Sequence, residues 1–219
     1  MRNSLVRAAF TFMTVLLFSL GATSSRGESV DGDAVAGLVF PEINLEAIKA
    51  RGPGVLLDLV DLYERSGPNE RAKIANVFYG LGWQSEEAKR VLMQDVHTDD
   101  KRLRLGVQWA LGRVSNSPEV VDVLFANMRD DDNPLFRDKA ACALAHDQIH
   151  LTDEQKFRLY ELVIRALRDP KPQVRDIAVK VLQIHTGQRK GFEPNAPLQQ
   201  REKRVRIWEQ WLEEYRSNI

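Results

Sequence analysis

Two histidines four residues apart, His146 and His150, with Asp147 between them, have a spacing that holds a metal ion when both rings lie on one helix face. With the acidic turn nearby, such a pair would suit a metal-dependent hydrolase, the leading enzymatic alternative. However, Leu151-Thr152 starts a new helix cap, which puts His150 in a linker, and no third ligand is evident. The pair therefore reads as solvated loop histidines. Asp130, Asp131 and Asp132 recur above Asp99 and Asp100 and could attract calcium, but they lack the spacing of a calcium loop and read as caps and turn residues.

Other routes to catalysis are no stronger. There is no glycine-rich phosphate loop, since Gly80-Leu81-Gly82 reads as a helix end. Cys142 has no base near it in sequence, and Ser, His and Asp occur only as scattered residues. We assign no catalytic residue, no metal site and no cofactor, and expect a chain that is not an enzyme. A basic run of Arg189, Lys190, Arg201, Lys203, Arg204 and Arg206 offers a further alternative, an anionic-polymer binder. It is interrupted by Glu193 and Glu202 and reads as the wet face of an amphipathic helix.

The chain has 219 residues, with 31 basic and 31 acidic. Arg2 and Arg7 precede an apolar run from Ala8 to Leu20, followed by small and polar residues, the order of a secretory signal. We expect a signal peptide over 1–25, cut within residues 22–26, and an exported protein, periplasmic or secreted, with no membrane span after cleavage. The alternative is an uncleaved N-terminal anchor, although thirteen apolar residues fall short of the ~20 that span a bilayer. Losing Arg2 and Arg7 from 31 basic residues leaves 29 against 31 acidic, a formal charge of −2. That balance gives no electrostatic reason to expect nucleic acid as a partner. With Cys142 as its only cysteine, the fold must rest on packing.

The elements that must position these residues repeat. Sliding back 38 residues from Arg175 in "QVRDIAVKVL" reaches Arg137 in "LFRDKAACAL", and Asp169 falls on Asp131, Pro172 on Pro134, Ala178 on Ala140 and Leu182 on Leu144. Two further steps of 33 reach Arg104 and Arg71, with Val107, Leu111, Ile74 and Phe78 in the same apolar slots. Leu59, Leu92, Phe125 and Val163 each lie twelve residues before their Arg, so a preceding helix keeps the register too. Capping residues before prolines at Ser117, Asn133 and Asp169, a Thr152/Gln155 capping box, and glycines at 82 and 187 mark the ends. The spacing predicts first helices near 54–65, 85–96, 118–129 and 153–167. Second helices fall near 68–81, 101–114, 134–146 and 171–185, and no stretch alternates as a strand does.

The pattern Asp-x-x-x-x-Val-Arg-x-x-Ala-x-x-x-Leu, whole from Asp169 to Leu182 and partial in the earlier copies, resembles the second helix of a HEAT repeat of the armadillo-like class. The resemblance covers residues 53–187. It implies an all-α, right-handed α-solenoid of about four two-helix repeats, and structural roles for Asp131, Arg137, Asp169 and Arg175 along the stack. Exported bacterial HEAT-repeat proteins often end in a similar Gly-Phe-x-Pro loop and a helix with two tryptophans, which Gly191, Phe192, Pro194, Trp208 and Trp211 match. We read 188–219 as that loop with a capping helix, Val205, Trp208, Trp211 and Leu212 forming its apolar stripe. Residues 26–52 read as an N-terminal cover or tether.

The same resemblance implies a non-catalytic interaction module or scaffold that binds an unknown protein partner through its concave face, lined by second helices. Five residues after each anchoring Arg come Asn76, Trp109, Cys142 and Lys180. Trp109 is the expected anchor, because a Trp covers a large area with few rotatable bonds. Asn76, Tyr79, Leu105, Gln108, Asp138 and Lys180 are the expected rim. The competing reading has Trp109 filling a gap between adjacent second helices.

Overall fold

The first N–H groups of a helix need partners that the helix cannot supply, and side-chain caps supply them here. In the computed structural model, which describes residues 30–219, Leu103 N donates to Asp100 Oδ1 at 2.9 Å and Leu135 N to Asn133 Oδ1 at 3.0 Å. Thr152 and Gln155 form the reciprocal box, at 2.9 and 3.3 Å. Gly82 and Gly187 close their helices at φ 62° and 69°, where only glycine is free of strain. One start departs from expectation. Pro172, not Pro170, opens its helix, because Asp169 Oδ1 accepts from Lys171 N at 2.8 Å and so holds the turn one step longer. Ser117 also precedes its proline without capping through its side chain.

Eleven α-helices and no strand form among the described residues: α1 (Val30–Val39), α2 (Leu45–Ala50), α3 (Val55–Arg65), α4 (Pro68–Leu81), α5 (Glu86–Gln94) and α6 (Lys101–Val114), then α7 (Pro118–Asp130), α8 (Pro134–His146), α9 (Asp153–Ala166), α10 (Pro172–Thr186) and α11 (Leu198–Arg216). α3 to α10 make four helix hairpins. Each second helix packs on the next, α4 on α6, α6 on α8 and α8 on α10. In the other layer α3 packs on α5 and α7 on α9. The architecture is an all-α solenoid. Its core lies between the two layers, with Leu59, Ile74, Phe78, Leu92, Leu111, Leu124, Leu144, Val163 and Leu182 fully buried.

Both ends of the stack are covered, as a terminal repeat with an apolar face requires. At the N-terminal end α1 packs on α3 and α4 and α2 on α4, burying Val35, Val39 and Ile48. At the C-terminal end α11 packs on α9 and buries Val205, Trp208 and Leu212, while Phe192 of the loop is buried before it. Trp211 stays half-buried, its ring 5.5 Å from Trp208 and 5.3 Å from Tyr160. The apolar segment assigned to export lies outside the described residues. No helix among the described residues is long and apolar enough to cross a membrane.

Along one edge of the second-helix layer runs a row of arginines. Arg71 reaches Asp95 of the next turn at 3.2 Å and the carbonyls of Tyr63 and Glu64. Arg104 pairs with Asp131 of the next turn, and its guanidinium lies 4.2 Å from the Phe136 ring centre. Arg137 instead donates to the carbonyls of Asp131 and Asp132, at 2.6 and 3.1 Å. Arg175, buried, donates to Asp169 O at 2.7 Å, Pro170 O at 2.8 Å and Pro194 O at 2.8 Å. Asp131 is thus a counter-ion to the preceding repeat, whereas Asp169 serves its own turn.

Candidate functional site

Helical periodicity leaves one face of each second helix outside the inter-layer core, and the side chains there form a continuous surface. Asn76, Tyr79, Asp138 and Lys180 are exposed, and Leu105, Trp109 and Cys142 are half-buried. Gln108 is a correction to the expected rim. It is fully buried in α6, and neither its amide nitrogen nor its amide oxygen has a partner. The register explains the miss: Gln108 lies one residue after buried Val107, on the core side of the boundary that Trp109 straddles. A polar side chain at an apolar slot reads as surface in sequence, and only the packing reveals otherwise.

Trp109 does not stand alone. Its ring lies 6.4 Å from that of Tyr79 at 52°, and the Arg113 guanidinium sits over the Tyr79 ring, 4.7 Å from its centre. Arg113 Nη1 lies 3.8 Å from Asp147 Oδ1. Burial pushes the Asp147 carboxyl above its usual range, and Arg113 and the Tyr79 hydroxyl act against that rise. The row thus gathers an aromatic pair, a guanidinium and a carboxylate where α4, α6 and the end of α8 converge. Arg113 and Asp147 were not part of the expected rim. Their signal in the sequence was the helical spacing of Trp109 and Arg113, four residues apart.

Further along the same layer, α8 and α10 part to form a small groove of about 120 Å³, lined by Ala141, Cys142, Ala145, Ile177 and Ile184 between Asp138 and Lys180. Its floor is apolar and its rim carries both charges. Lys180 is held by Asp176 at 2.7 Å and Asp138 by Lys139 at 2.8 Å. Burial, reinforced by Asp138, pushes the Cys142 thiol above its usual range, which disfavours the reactive thiolate.

The remaining chemistry-bearing residues have structural partners. His150 is half-buried, not solvated, and its Nε2 lies 2.9 Å from Gly82 O and 3.0 Å from Arg113 O, which the protonated nitrogen bridges. The linker lengthened by five residues folds back to bring it to the carbonyl ends of α4 and α6. Gly112 makes room for that linker, since a Cβ there would meet Asp147 O at 3.0 Å. His146 is exposed at the end of α8, whereas the Nε2 of His150 is engaged by the two carbonyls. Asp100 caps α6, Asp130 pairs with Arg129 at 2.6 Å, and Asp131 serves Arg104 and Asn133 N. No group of three or more His, Cys, Asp or Glu suited to a metal occurs among the described residues.

Residues 56–145, from α3 to the end of α8, match the family model of HEAT repeats. No curated protein matches the chain.

Proposed function

From a chain that belongs to the HEAT-repeat family through residues 56–145, we propose a non-catalytic interaction module or scaffold of the cell envelope or exterior, binding a protein partner across the exposed face of α4, α6, α8 and α10. HEAT repeats commonly serve as protein-interaction scaffolds and are typically non-catalytic. The observation that carries the reading is the pairing of exposed Tyr79 with half-buried Trp109, their rings 6.4 Å apart on adjacent second helices. Large rings with few rotatable bonds, beside a guanidinium and a mixed-charge rim, make the composition of a binding anchor. Export rests on the order of Arg2, Arg7 and the apolar run Ala8–Leu20.

The test compares the chain with Trp109→Ala against proteins retained from an envelope extract, quantified by mass spectrometry, with thermal melts in parallel. The expected result is a loss of ~2 kcal/mol or more in affinity for the retained partner, in molecules that still fold. A melting temperature that collapses while affinity is preserved in the folded fraction would assign Trp109 to packing. Fractionation of cells making the full chain, with N-terminal sequencing of the product, tests export. A start within residues 22–26 in the envelope or medium is expected, and an intact chain in the cytosol would overturn it.

A further inference from the structure

Lys203 and Arg204 are exposed on α11, and Arg201 is half-buried beside them. The two acids that seem in sequence to neutralise this run divide. Glu202 turns to the other side of the helix, where Arg168 Nε holds it at 3.1 Å, and Arg168 also holds Glu209 at 2.5 Å. Glu193 alone remains with the cations, in a cleft of about 590 Å³ between α11 and the loop before it. Arg201 Nε donates to Ala196 O at 3.0 Å, which fixes the guanidinium at the cleft wall. Arg204 lies over Gly191, whose φ of 66° and missing Cβ admit it: a Cβ there would stand 3.2 Å from the guanidinium carbon. Among the described residues, Arg201, Lys203 and Arg204 form no ion pair with a carboxylate.

The fold explains why positive charge accumulates here. Arg71 and Arg104 each meet a carboxylate from the following turn, whereas Arg137 and Arg175 meet carbonyls, and Arg175 closes the row with no following repeat. A carbonyl, Pro194 O, takes the place of the acid. Arg201 then adds its field to that of Arg175, and burial together with this repulsion lowers the proton affinity of Arg175. A second feature gives the cleft its character: Ile207, 39% exposed, and Ala196 put apolar surface next to the cations.

We propose that this cleft is a docking site for an acidic peptide segment of a protein partner, with carboxylates on Arg201 and Arg204 and an apolar side chain against Ile207. Guanidinium groups donate paired, directional hydrogen bonds to carboxylates. The cleft is of a size that takes several side chains, not a lone ion. The site lies at the C-terminal end of the stack and does not depend on the Tyr79–Trp109 face.

Fluorescence polarisation with the full chain and a labelled peptide of alternating Glu and Leu tests it, beside the same peptide with Gln for Glu. The expected result is binding of the Glu peptide that weakens at least about fivefold between about 0.05 M and about 0.3 M salt. Lys203→Glu with Arg204→Glu, both exposed and so compatible with folding, should weaken it at least about tenfold at an unchanged melting temperature. Glu193→Gln, which removes the one acid of the cleft, should tighten it about two- to fivefold. Equal affinity for the Gln peptide, or for the charge-reversed chain, would overturn the proposal. Tighter binding of a sulfated oligosaccharide or of inorganic phosphate than of the Glu peptide, through the same residues, would replace the peptide with that anion.

Discussion

The N-terminal and C-terminal halves of the arginine row use one residue type in one register for two different tasks. Arg71 and Arg104 reach forward to carboxylates of the next turn, so each ties two repeats together with a charge pair. Arg137 and Arg175 fold onto carbonyls, chiefly those of their own turns. The difference lies in the acceptors. Asp95 and Asp131 each present Oδ2 to the arginine of the preceding repeat, while Oδ1 of Asp131 holds Asn133 N just as Oδ1 of Asp169 holds Lys171 N; among the described residues Asp169 makes no ion pair with Arg137. A repeated sequence signature therefore fixes where a cation sits, and the local turn decides what it bonds. The arginine row is cross-linked by charge in its first half and braced turn by turn in its second.

That contrast predicts unequal costs. The largest effect should come from Asp131→Ala, because the side chains of Arg104 and Asp131 are only 12% and 7% exposed and the lost partner strands a cation. Breaking such a pair from one side costs ~3 to 5 kcal/mol, read as a fall in the chemical-denaturation midpoint. Adding Arg104→Met should restore part of the loss, since no unpaired charge then remains. If the single variant proves neutral, Asp131 belongs with the carbonyl-braced half. Arg175→Ala should cost less, ~1 to 3 kcal/mol, since it leaves three neutral carbonyls without a donor and not a charge. An equal or larger loss than Asp131→Ala would erase the distinction between the halves.

A third prediction concerns pH and belongs to the carbonyl-braced half. His185 Nε2 donates to Leu144 O at 2.8 Å, and the ring meets Tyr160 edge-on at 5.5 Å. Burial pushes its pKa below the ordinary value of about 6.5, with Lys156 and His146 adding to the fall and the Leu144 bond opposing it. The folded state thus binds fewer protons than the unfolded one in the window just below that value. Stability is complete above the window and declines as pH falls through it. Denaturation midpoints should drop between about pH 7.5 and about pH 5.5, and His185→Gln should flatten that slope. A slope unchanged by the substitution would assign the acid sensitivity elsewhere.

The repeat frame was legible because burial recurs with the chain. Ile74, Val107, Ala140 and Ala178 hold one apolar slot through four hairpins, all buried, and no single residue had to carry the inference. The site was less legible because its decisive contacts join distant segments that follow no period. His150 sits in the one enlarged linker, and nothing in its neighbours' types says that the linker folds back onto Gly82 and Arg113. Gln108 misled for a related reason, being polar in a slot whose burial depends on how closely α4 and α6 approach. At Gly106 a Cβ would stand 3.3 Å from the Ala75 Cβ. The two acids in the C-terminal basic run also looked equivalent, although Arg168, more than thirty residues away, claims one of them.

The smallest effect should come from an ion pair that matches those of the arginine row in residue types but not in surroundings. Arg158 of α9 donates to Asp122 of α7 at 2.7 Å, joining two first helices just as Arg104 and Asp131 join consecutive repeats. Here, however, the side chains are 48% and 49% exposed, so water screens the attraction and already solvates either partner left alone. Arg158→Ala should therefore change stability by ~0 to 1 kcal/mol, and raising the salt concentration should shrink even that. The measurement sets an exposed pair against a buried one of the same two residue types. A loss near that of Asp131→Ala would mean that bridging two repeats, and not the exclusion of water, is what gives these pairs their strength.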